Sequence, residues 1–152
     1  MSTMNTETLA ELAIDALSQT AFMFADYVDS DEAEELPGSV CFACIKYSGP
    51  TTGTLSLAAS EGFVRELASG LLGEDPEEID FDVDGSDAFR ELANIIGGSL
   101  ILSLGGDRME LLLGLPEDMS PSSMPSKDNA EIYSHFSAEG ERLEIAWSPL
   151  AA

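Results

Sequence analysis

The sequence predicts a single α+β domain in which helices pack on an antiparallel sheet. Three observations carry this reading. Apolar residues recur at helical spacing in separate stretches, and apolar runs bounded by Gly and Pro read as strands. These pieces follow in the order helix, two strands, two helices, three strands. The chain has 152 residues, 44% of them hydrophobic, so residues 1–152 make one domain long enough to bury a sizeable core.

Residues 5–28 are predicted as one long amphipathic helix, because Leu9, Leu12, Ala13, Ala16, Leu17, Thr20 and Phe24 fall three and four apart. The acidic stretch Asp29–Glu35 follows as a solvated loop, closed by Pro37-Gly38. Two strands, 39–48 and 53–58, then pair as a hairpin around Gly49-Pro50. Ser60 is placed to cap a second helix whose stripe is Phe63, Val64, Leu67, Ala68, Leu71 and Leu72, and Gly73 stops it. An acidic linker containing Pro76 leads to Asp84, three residues before Asp87 in a capping arrangement. The third helix spans 86–104 and ends at Gly105-Gly106. Arg108–Leu115 reads as a strand closed by Pro116, and residues 117–129, broken by Pro121 and Pro125, read as an irregular loop. Strands 130–137 and 141–147 form the last hairpin, around Ala138-Glu139-Gly140. Trp147 and Phe22–Phe24 are expected in the core.

Charge narrows the functional classes. The formal net charge is -23, from 29 acids against 6 bases. Such a surface repels phosphate backbones and anionic headgroups, which argues against nucleic acid and membrane surfaces as partners. Solubility or adaptation to a salty cytoplasm accounts for it more simply than a basic partner does. No apolar run approaches the roughly 18 residues of a membrane span. The N-terminus lacks a basic region and is interrupted by Glu7, Glu11 and Asp15, so no signal peptide is expected and cytoplasmic residence is the default.

Cys41 and Cys44 form a C-x-x-C within an apparent strand. Residues three apart on a strand point to opposite faces, which suits neither a disulfide nor shared metal ligation. They read as small buried hydrophobes. His135 is the one histidine and sits in an apparent strand without a nucleophile nearby in sequence, so it is expected to be an ordinary strand residue.

The third helix carries the chemistry. Asp87, Glu91 and Asn94 stand at i, i+4 and i+7. At ~100° per residue they share one face within about 60°, with Gly98 one turn on. Phe89, Leu92, Ile95, Ile96 and Leu100 occupy roughly the opposite side. Asn is a modest helix former with little structural reason to face out of mid-helix, and Gly98 lets a partner's backbone approach closely. Gly97 is expected to permit close packing within the protein instead.

This Asp87-x3-Glu91-x2-Asn94 pattern, followed by Pro116, resembles the signature of the CheC/CheX family of chemotaxis phosphatases: an acid or serine, then E-x-x-N on a helix, then a downstream proline. The Tyr47-Ser48-Gly49 strand end and Gly53-Thr54-Leu55-Ser56-Leu57 are similar to the family as well, and the resemblance spans about residues 5–147. The motif occurs once, as in CheX and unlike the doubled site of typical CheC. Ser99 departs from the Asn often found at that position in the family and reads as a packing variation.

The resemblance implies a CheX-like fold and a phosphatase acting on the aspartyl phosphate of a phosphorylated CheY-like response regulator. It further implies that Asn94 orients the attacking water and that Glu91 pairs with the regulator's lysine. Asp87 and Gly98 are expected to contact the partner. No metal or cofactor is expected on this chain, and Mg²⁺ is expected on the regulator. A homodimer is expected through sheet edges or terminal segments. The alternatives are a non-catalytic receiver-domain-binding module and an assembly protein related to the flagellar switch.

Overall fold

Side chains alternate across a strand, so burial along the strands dictates how the sheet is covered. The computed structural model describes residues 4–29, 31–33, 36, 40–105 and 111–150. In chain order the elements are α1 (Thr6–Ala21), β1 (Ala25–Val28), β2 (Val40–Ser48), β3 (Thr52–Ser60), α2 (Glu61–Leu72), α3 (Ser86–Ser103), β4 (Leu112–Leu113), β5 (Glu117–Asp118), β6 (Ile132–Ala138) and β7 (Glu141–Leu150). The strands form one antiparallel sheet in the order β1-β6-β7-β3-β2-β4, with β5 also paired to β2. The α+β class with helices on an antiparallel sheet is therefore as the sequence predicts.

Register lines up the inner face. Ala43, Leu57, Ile145 and Ser134 form one row across the sheet, and Cys41, Ala59, Leu143 and Phe136 form another. Against these rows pack Leu9 and Leu17 of α1, Phe63 and Leu67 of α2, and Leu92, Ile96 and Leu100 of α3, all fully buried. Burying such side chains contributes about 1.5–3 kcal/mol each, which is what fixes the helices on this face.

The outer face carries the intervening rows, Phe42–Ala58–Glu144–His135–Val28 and Cys44–Ser56–Ala146–Tyr133. Residues 119–130 cross it. The Met119 amide donates to the Phe42 carbonyl at 3.1 Å where the segment leaves β2, and the Glu131 amide donates to the Trp147 carbonyl at 3.0 Å where it arrives. Beneath it lies a space of about 430 Å³ between Ser120, Ser123 and Pro125 above and Lys46, Thr54 and Ser56 below.

Several expectations need correction. The first helix does not run to residue 28: it ends at Ala21, where Phe22 adopts a left-handed conformation (φ 56) and the Met23 amide closes back on the Leu17 carbonyl at 3.0 Å. Ala21 to Asp26 then alternate buried and exposed, and β1 pairs with β6 as an edge strand. The same alternation turns Phe22 and Phe24 outward, each 74% exposed, so they are not core, whereas Trp147 is buried and donates its indole N–H to the Tyr47 hydroxyl at 3.1 Å.

Asp84 does not cap α3. Residues Phe81–Gly85 form a π-helical turn that runs straight into α3, and Asp80 accepts from the Asp82 amide at 3.2 Å at the start of that turn. Asp84 instead accepts from the Asp80 amide at 3.4 Å. Within 117–129, taken as irregular, residues 117–118 pair with β2 and Pro121–Ser123 form a single 3-10 turn. Of the strand expected over 108–115, Leu112–Leu113 pairs with β2, and residues 106–110 lie outside the described residues, as does the Pro37-Gly38 closure.

Two local readings hold. Cys41 and Cys44 fall in different rows, both thiols are free, and burial, followed by the charges of Glu61 and Asp118, pushes Cys41 up to about 11. Glu139 and Gly140, at φ 54 and 76, make the tight two-residue turn of the last hairpin.

Candidate functional site

The outward strip of α3 follows from how the helix is pinned. Gly97 faces the sheet so closely that a Cβ there would sit 3.0 Å from Ile45 and 3.2 Å from Leu113. Ala88, Phe89, Leu92, Ala93, Ile96 and Leu100 are buried around it. With that side held, Asp87 and Glu91 are exposed, Asn94 and Gly98 are half-buried, and Leu102 is 65% exposed. A Cβ on Gly98 would meet nothing within 4 Å. The strip predicted from the sequence is thus one continuous surface, with Ile95 half-buried at its margin.

Its members are tethered differently. Asp87 pairs with Arg90, and Arg90 reaches Asp118 of β5 at 2.9 and 3.0 Å. The hydrogen bonds to Asp118, with Asp87 adding to them, raise the Arg90 pKa above its ordinary value. Pro116 lies between β4 and β5, so this guanidinium bridge holds the segment after the proline against α3. Among the described residues, no hydrogen bond or ion pair within the protein engages Glu91 or Asn94. An unpartnered carboxylate and an unpartnered amide, one turn apart on a rigid helix, can each make charge-assisted or bifunctional hydrogen bonds to something docked there.

Sequence reasoning missed what borders the strip. Beside Glu91 lies a depression of about 310 Å³ lined by Leu71, Leu72, Asp84, Asp87, Ala88 and Glu91. Leu71 and Leu72 read as members of an apolar stripe, and nothing in their spacing shows that the end of α2 reaches the motif. Arg90 was likewise silent, since its partner Asp118 lies 28 residues away.

The one histidine is buried with Glu144, not near α3. Tyr133 donates to Glu144, and His135 Nδ1 lies 3.5 Å from that carboxylate, with Arg142 at 3.9 Å. Burial lowers the His135 pKa against the opposing pull of Glu144 and raises that of Tyr133. Among the described residues, no three of His, Cys, Asp or Glu converge to hold a metal ion. No described helix is long and apolar enough to cross a membrane.

Residues 41–137 match the family model described as chemotaxis phosphatase CheX, and the chain belongs to that family. The fold is similar to a chemotaxis protein CheX from Desulfovibrio desulfuricans, at TM-score 0.72 and 17% identity, covering 95% of this chain and 98% of that one. CheX from Vibrio vulnificus is similar at TM-score 0.68 and 18% identity, covering 92% and 96%. CheX from Borrelia burgdorferi, solved as a complex with CheY, BeF3 and Mg²⁺, is similar at TM-score 0.67 and 17% identity, covering 95% and 97%. No curated protein matches the sequence.

Proposed function

We propose that this CheX-family chain accelerates hydrolysis of the aspartyl phosphate on a CheY-type response regulator, with the α3 strip as the docking and catalytic surface. The observation that carries the reading is the pair Glu91 and Asn94, one turn apart on the outward side of α3, with no side-chain partner among the described residues.

Hydrolysis requires a water oxygen to attack phosphorus in line with the P–O bond to the aspartate. That bond breaks as the new one forms, releasing inorganic phosphate and the free carboxylate. The transition state is loose, so positioning and electrostatics supply most of the acceleration. Asn94 suits this task because an amide offers a donor and an acceptor without a charge that would repel phosphate. In this reading it enters the regulator's active site and orients the attacking water. Glu91 pairs with the lysine beside the phosphoryl group, aligning the two proteins, and the regulator carries its own Mg²⁺. Gly98 leaves room for the partner's backbone. Asp87 contributes at the edge of the contact while paired to Arg90.

We also expect a homodimer. β1 and β4 end the strand order and present backbone groups to a second copy, and sedimentation of the purified chain tests this.

The decisive experiment follows phosphate loss from a phosphorylated CheY-type regulator, with the wild-type chain and with Asn94→Ala. Acceleration that falls by on the order of 100-fold in the variant is the expected result. Acceleration that survives the substitution overturns the role of Asn94. Binding to the regulator without any acceleration identifies a receiver-binding module instead.

A further inference from the structure

The depression beside Glu91 shares Asp87 and Glu91 with the docking strip, yet its floor comes from elsewhere. Leu71 and Leu72 end α2, and Gly73, in a left-handed conformation (φ 72), turns the chain away just after them. Leu72 is 53% exposed and Val83, on the π-helical turn before α3, is 57% exposed. An apolar side chain as large and open as Leu72, in a depression it shares with the unpartnered Glu91 carboxylate, is what the core and rim of a protein–protein contact look like before the partner arrives.

Charge narrows the occupant. Asp84, Asp87 and Glu91 line the depression and no base does. Arg90 pairs with Asp87 and Asp118, and the lysine beside the phosphoryl group is assigned to Glu91, which leaves Asp84 without a cation among the described residues. An anionic occupant is repelled here, and a wholly polar one gains nothing from Leu71, Leu72 and Ala88. An apolar side chain with a Lys or Arg beside it satisfies both features.

We propose that this depression is a specificity pocket for the response regulator, receiving an apolar side chain that neighbours a basic residue on the regulator's surface. The proposal rests on the phosphatase reading and deepens it. It assigns recognition to Leu72 and Asp84, which take no part in placing the water, and leaves chemistry to Asn94. A regulator lacking that apolar–basic pair is then a poor substrate even when its phosphorylated aspartate is accessible.

The test is steady-state hydrolysis of the phosphorylated regulator by the wild type, Leu72→Asp, Asp84→Lys and Asn94→Ala, with thermal melting of each to confirm folding. Leu72 is half out of the surface, so Leu72→Asp is expected to fold. Both pocket variants should raise KM about tenfold with kcat within twofold of wild type. They should weaken binding of the BeF3-treated regulator to the same extent. An unchanged KM in both variants, with Asn94→Ala still inactive, overturns the pocket and leaves the phosphatase reading standing. Loss of kcat rather than a rise in KM also overturns it, because the pocket would then be acting on the chemistry. Full activity in Asn94→Ala overturns the underlying reading instead.

Discussion

The outward strip of α3 and the Tyr133–His135–Arg142–Glu144 cluster on the outer sheet face use similar chemical groups in opposite circumstances. His135 and Glu144 are buried on the outer face of β6 and β7. Tyr133 donates to Glu144, the His135 ring nitrogens and the Arg142 Nε and Nη2 are buried near that carboxylate without a hydrogen bond, and burial shifts the pKa of His135 and Tyr133. Glu91 is exposed and Asn94 half-buried, and among the described residues neither side chain has a partner. Shifted pKa values often mark active sites, but here they mark a buried structural network. What distinguishes the candidate site is that its unused hydrogen-bonding capacity lies on an accessible helix, whereas that of His135 and Arg142 is buried. On the proposed reading the reactive phosphoryl group belongs to the partner, so the site needs that capacity more than it needs a perturbed acid or base.

Substitutions that separate stability from activity would break or sharpen this contrast. The largest effect is expected from Glu144→Ala, which takes the acceptor from the Tyr133 hydroxyl and the neighbouring negative charge from Arg142. It should lower stability by about 3 kcal/mol in denaturant titration, while the folded fraction keeps full activity. Asn94→Ala should do the reverse, removing activity while leaving stability unchanged or raised by up to about 0.7 kcal/mol, since Ala is the better helix former. If Glu144→Ala instead lowered kcat of the folded protein, the division between the two regions would be wrong.

The adjacent glycines offer a smaller and cleaner version. Gly98→Ala meets open space and should stabilise α3 by about 1 kcal/mol, yet weaken docking if the partner's backbone comes close there. Gly97→Ala must push Ile45 or Leu113 aside and should destabilise, which thermal melting of the pair would show. Equal behaviour of the two variants would mean that α3 is not pinned as described.

The smallest effect is in pH. Burial lowers the folded-state pKa of His135 below its ordinary value of 6.5, so the native protein resists a proton that the unfolded chain accepts. Above that value His135 is neutral in both states and contributes nothing to the slope. Below it, wild type should lose stability relative to His135→Phe by at most about 1.4 kcal/mol per pH unit, until the folded imidazole itself protonates. Glu144, Arg142, Tyr133 and Lys127 face the imidazole in both proteins, so the difference between them isolates the histidine. A constant gap from pH 7.5 to 5 would show that His135 is not held neutral.

Much of this was legible in the sequence because the signals are local. Helical spacing placed Asp87, Glu91, Asn94 and Gly98 on one face of α3, and the alternation around Cys41 and Cys44 separated the thiols. The last hairpin was marked by Glu139-Gly140. Near Phe22 the local signal failed, because A-F-M-F-A-D fits the tail of an amphipathic helix and an alternating strand equally well. The left-handed turn and the pairing of β1 with β6 decided between them.

By itself, then, the sequence determined the class of fold, the helix that bears the motif and the face on which the motif lies, since each depends on residues within a few turns of one another. Tertiary structure alone decided the rest. It brought the end of α2 and the turn at 81–85 beside Glu91, set Arg90 across to Asp118, and buried His135 against Glu144 on the neighbouring strand. Those contacts join side chains from separate elements. Periodicity along one element carries no record of which other element the hydrophobic core will press against it.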